Sequence, residues 1–158
     1  MLNISMSHLS QFNSAVHGLV GDFKKMKYLE KDVLKLETYI EITHINARSI
    51  ITQFQTHVLK DIFVSNILSN NTDFFMKYDA TEIIAKEAKN VNEINYAHSL
   101  IKRIQELVNT MRENKSYDNI NATFNWIKVL CYHAYLDLGI DASEKFAQLQ
   151  RQGAISSV

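Results

Sequence analysis

Four side chains of the second expected helix could do chemistry together. Glu37, Glu41, His44 and Arg48 follow one another at spacings of four, three and four, which sets them in a line along one border of a helix face. Within that line Glu41-Ile42-Thr43-His44 pairs a carboxylate with an imidazole three residues on. In helical bundles such a pair can ligate one ion of a carboxylate-bridged metal centre. A divalent metal is therefore the cofactor that Glu37, Glu41 and His44 would hold. A complete centre needs a second such motif and more carboxylates on facing helices, and the chain supplies only fragments. Glu93 and His98 are five apart and point in different directions, while His133 and Asp137 are four apart and could share a face. The competing reading of the line is a solvated rim. There Glu37 and Glu41 repel by a few tenths of a kcal/mol, and His44, if protonated, offsets part of this. Lys31 and Lys35 are not at pairing distance from either glutamate along the helix, so a stronger partner must come from a neighbouring element.

Other reactive constellations are missing. The chain has no proline, and no glycine between Gly21 and Gly139, so phosphate-cradling loops and strained nucleophile turns have no material. Cys131 is the single cysteine, which excludes an internal disulfide. It lies in the apolar run Ile127–Cys131 and is expected to behave as a small buried hydrophobe. Its nearest histidine, His133, stands two positions away on another side of a helix. None of the six histidines (His8, His17, His44, His57, His98, His133) has another three or four residues from it. Trp126 and Tyr132 read as core or interface aromatics.

The elements that must position these groups are helices, because the missing proline and glycine remove the usual punctuation of sheets. The first apolar stripe is Leu9, Phe12, Val16, Leu19, Phe23, Met26, the three-and-four stepping of a buried helix seam. Gly18 and Gly21 lie off it, marking either a break or a place where another backbone comes close. The second stripe runs Leu29, Val33, Leu36, Ile40, Ala47, Ile50, Phe54, Val58, and if continuous is a helix of about 30 residues and about 45 Å. The pattern persists through Ile62, Phe63 and Ile67 until Ser69-Asn70-Asn71-Thr72 stops it. Phe74 to Tyr78 is a short helix or a packed loop. Capping-box patterns at Asp79–Glu82 and Asn90–Glu93 precede the stripe Ile94, Ala97, Ile101, Ile104, Val108, Met111. After a polar connector at 113–116 the next seam is Ile120, Phe124, Ile127, Cys131, Ala134, Leu138. Gly139 falls where a helix end wants a left-handed residue, with Ile140 beyond it for the usual hydrophobic contact. Asp141–Glu144 is another capping box, opening a last helix with Phe146 and Leu149. One-sided stripes must bury against one another, so the expected fold is all-α, an antiparallel bundle of five to seven helices. It forms a single domain over residues 1–151, with 152–158 as a flexible tail. No repeat period is found.

Leu138-Gly139-Ile140-Asp141, closing one helix and opening the next, resembles the C-terminal part of MazG-like all-α nucleoside triphosphate pyrophosphatases. The resemblance implies Mg²⁺ held by acidic pairs on facing helices. It covers about a fifth of the chain and stops short of the metal-binding half. Glu37 and Glu41 stand on one helix, and where the partner acids would be the chain has Asn121, Asn125 and Trp126. Family membership does not follow from it.

Composition limits the function classes. Apolar residues make up 46% and charged residues 22% of the 158, the balance of a folded globule. Lys and Arg (17) equal Asp and Glu (17), so the basic excess of a nucleic-acid binder is missing, and the lysines at 24, 25, 27 and 31 read as a solvated face. No apolar run reaches the roughly 18 residues of a membrane span, and no signal peptide opens the chain, so a cytoplasmic location is expected. The leading expectation is a non-enzymatic helical protein that binds another protein, as an adaptor, chaperone, inhibitor or immunity-type factor. Phe74, Phe75 and Tyr78 are its candidate contact residues, and a spare apolar face could support a homodimer. The alternatives are a metal-dependent bundle enzyme built on Glu37, Glu41 and His44, and a sensory bundle holding a small ligand or haem.

Overall fold

The computed structural model describes residues 4–26, 30, 31, 33, 34, 37, 48–77 and 105–156. Among them the chain is an all-α bundle with no strand. Helix α1 spans Ile4–Lys24, α2 Ser49–His57, α3 Asp61–Leu68 and α4 Thr72–Lys77. Helix α5 covers 105–113, α6 spans Tyr117–Asp137 and α7 Ala142–Ser156. The helical backbone thus continues past Gln152. The capping boxes at Asp79 and Asn90 lie outside the described residues.

The long pair α1 and α6 forms the spine. His8 of α1 lies beside His133 of α6, whereas Gly18 and Asp22 meet Trp126, so the two helices run antiparallel. The first stripe folds as its spacing requires, with Phe12, Val16 and Phe23 buried. On α6 the buried face is wider than the expected seam, because Thr123, Leu130 and Tyr135 join Ile120, Phe124, Cys131 and Ala134. Leu138, the last seam residue, is instead 52% exposed. Helices α2 to α5 and α7 close over this spine. One buried cluster joins Val20 and Phe23 to Val64, Ile67, Leu107, Met111, Phe124, Cys131 and Leu149. A second joins Phe12, Val16, Ile51, Leu130 and Ala134, and Leu19, Phe54 and Leu59 pack against both. Each fully buried large side chain here contributes about 1.5–3 kcal/mol.

The glycines resolve differently from a helix break. Helix α1 runs unbroken through Gly18 and Gly21, and what approaches Gly18 is the indole of Trp126, not a backbone. The second stripe does not reach Val58 as one uninterrupted helix. A turn at Arg48 precedes α2, and α2 ends at His57. Extended backbone at Lys60 (φ −111°, ψ 141°) then re-aims the chain into α3. Two short helices thereby each lay an apolar face on the spine, which one straight rod could not do.

Helix ends follow their local chemistry. Asn70 is left-handed (φ 54°) after α3, and the Asn71 carboxamide oxygen accepts the Phe74 N–H at 3.2 Å to cap α4. At the end of α6 the Gly139 N–H reaches Leu136 O and the Ile140 N–H reaches Tyr135 O, both at 3.0 Å. With Gly139 at φ 78° this is the Schellman closure. The Asp141 carboxylate then accepts the Glu144 N–H at 3.1 Å, capping α7.

Candidate functional site

The line from Glu37 to Arg48 is pulled apart by its partners. Glu37 is half-buried and its carboxylate meets the Lys24 ammonium of α1 at 3.1 Å, the cross-helix partner that its own helix lacks. Glu41 and His44 lie outside the described residues, so the metal set Glu37, Glu41, His44 is represented by Glu37 alone. Arg48 reaches across to α6, where its guanidinium bonds Asp137. The Asp137 side chain is 2% exposed, and the same carboxylate oxygen also accepts from Gln55 Nε2 at 2.9 Å. Gln55 holds Ala134 O at 3.1 Å as well. The Arg48 and Asp137 fragments therefore do meet in space, as an ion pair that ties α2 to α6. Among the described residues no group of three histidine, cysteine or acidic side chains is arranged to hold a metal ion.

The lysine-rich stretch is likewise occupied locally. Lys24 pairs with Glu37, Lys25 lies 3.7 Å from Asp22, and Lys31 is exposed. No described helix is long and apolar enough to cross a membrane.

Phe74 and Phe75 are half-buried and engaged in an aromatic cluster. Their rings meet edge-on at 5.1 Å, Phe74 sits 6.3 Å from Phe63, and Phe75 sits 5.9 Å from Phe124. The Gln105 side chain donates to Phe75 O at 2.8 Å, fixing α4 to α5. Tyr78 lies outside the described residues.

Cys131 is fully buried, and burial pushes its thiol far above the ordinary range, so it carries almost no thiolate and is a poor nucleophile. Burial also raises the Tyr135 phenol, helped by Cys131 and Asp61.

One pairing escaped the spacing argument. His8 and His133 are 125 positions apart, yet their rings stack with centroids 6.4 Å apart and planes at 29°. The Nδ1 atom of each is buried without a hydrogen-bond partner among the described residues. Burial lowers the His133 imidazole below its ordinary value, and the neighbouring His8 lowers it further. Only the placement of each ring at a helix border hinted at this contact, since nothing local relates α1 to α6.

Three of the exposed large apolar side chains lie toward the other end of α6 from Tyr117, while Leu34 and Val129 are exposed elsewhere. Leu138 (52% exposed) and Ile140 (39%) flank Gly139 on the connector to α7, and Ile62 (52%) stands at the start of α3. Lys145 of α7 pairs with Asp61 at 3.0 Å, which brings the start of α3 beside that connector. No family model, no characterised protein and no solved structure matches this chain.

Proposed function

We propose that the protein is a non-enzymatic helical module that works by binding another protein, and that the contact centres on Leu138 and Ile140. The observation that carries this reading is the pair of large apolar side chains left in solvent on both sides of a rigid Schellman turn. Rigid placement lowers the ordering cost of association, and apolar anchors at the centre of an interface supply most of its energy. The inert Cys131 and the engaged Glu37 and Asp137 favour binding over catalysis. In this reading Phe74 and Phe75 serve the bundle first, and a partner meets the Gly139 corner. Affinity capture with the intact chain and with a Leu138→Ser/Ile140→Ser variant tests it. The expected result is a partner retained by the first and lost by the second, with both showing the same helical circular dichroism. A partner held equally by both would refute this surface, and light scattering of the free chain tells a second copy from a different protein.

A further inference from the structure

At the opposite end of α6, about 30 Å from Gly139 along that 21-residue helix, lies an open cleft of about 550 Å³. It sits between the α3–α4 connector, Arg112 of α5 and the first turns of α6. Its volume is in the small-ligand range of roughly 300–1,000 Å³, and its chemistry is unusual for this molecule.

Charge is cancelled inside it. Among the described lining residues the charged ones are Arg112 and Asp73, which face each other at 3.2 Å. Most of the remaining wall is made of amides and hydroxyls, at Ser69, Asn70, Asn71, Thr72 and Asn121, each able to donate and accept. Across the cleft the Asn70 amide donates to Asn121 Oδ1 at 3.2 Å. Asn70 holds this strut from the left-handed backbone (φ 54°) that closes α3. Tyr117, 62% exposed, adds an open aromatic face to the rim.

These features select a ligand class. Among the described lining residues an anion finds Arg112 already matched by Asp73, and a metal ion finds Asp73 as its one carboxylate. An apolar ligand would strip water from the amides with nothing in return. A neutral ring bearing many hydroxyls satisfies the amides and lays its C–H face on Tyr117. We infer that this cleft binds a neutral saccharide, an activity separate from the protein contact at the Gly139 corner.

Amide NMR of the full chain titrated with D-glucose, D-galactose and N-acetyl-D-glucosamine tests the inference. The expected result is a saturable shift with at least one of them at millimolar concentration, confined to residues 69–73 and 112–121. Tyr117→Ala should weaken that binding about tenfold while Tyr117→Phe keeps it, and Asn121→Ala should also weaken it. Both wall positions are exposed, so the variants leave the core alone. No saturable shift with any of the three sugars, shifts away from the cleft, or binding unchanged in Tyr117→Ala would overturn the assignment.

Discussion

A single methyl group added at Gly18 probes the contact that sets the spine of the bundle. A Cβ there would stand 2.4 Å from Trp126 Cη2, 2.7 Å from Cζ3 and 3.0 Å from Cζ2, closer than side chains tolerate. The indole cannot slide away freely, because its Nε1–H is bonded to the Asp22 carboxylate one helical turn further along α1. Gly18→Ala must therefore push the helices apart or break that bond. Overpacking costs about 1–3 kcal/mol, and losing a hydrogen bond to a charged group costs about 1.5–3 kcal/mol. Against this, alanine gains about 1 kcal/mol of helix propensity over glycine. The net expectation is a loss of up to about 2 kcal/mol. Gly21→Ala is the control, since nothing lies within 4 Å of a Cβ there, and it should stabilise the same helix by about 0.5–1 kcal/mol. Urea denaturation reads both changes. Emission from Trp126, the only tryptophan, should shift to the red in Gly18→Ala alone. Trp126→Leu should remove most of the Gly18→Ala penalty in a double-mutant cycle. Two stabilising alanines, with unchanged emission, would refute the packing of Trp126 on Gly18.

Arg48→Ala leaves the nearly solvent-free Asp137 with Gln55 as its remaining described partner and should cost about 1–3 kcal/mol; an unchanged urea midpoint would show that the carboxylate does not need the guanidinium. Because the folded His133 pKa is depressed below 6.5, the unfolded chain binds its proton first, so the stability it contributes is complete above about pH 6.5 and is lost as pH falls from there toward the lowered value. Melting temperatures at pH 7.5 and 5.5 should differ less in His133→Asn than in the native chain, and an identical difference would remove His133 as the cause. Cys131 should react with a thiol reagent only on unfolding, given its burial; rapid modification of the native protein would contradict its place in the core.

The legible parts of this fold are those written in local chemistry. The α1 stripe, the Asp141 cap and the left-handed Gly139 each need only a few neighbouring residues, and each folds as its spacing implies. What spacing along one strand of sequence does not encode is the partner of a side chain on another helix. The indole against Gly18, the Lys24–Glu37 pair, the Arg48–Asp137 pair and the His8–His133 stack all join residues that only tertiary packing brings together. The same blindness made Leu138 look like a core residue. Stripe continuity likewise hid the kink at Lys60, because apolar periodicity can persist across a bend that re-aims the next helix.

The proposal of a partner-binding bundle without metal chemistry is tested most directly by metal content, measured by mass spectrometry on the native, tag-free protein. The expected result is metal well below one ion per chain. Near-stoichiometric metal that disappears in Glu41→Ala would contradict it and make Glu37, Glu41 and His44 the site to pursue.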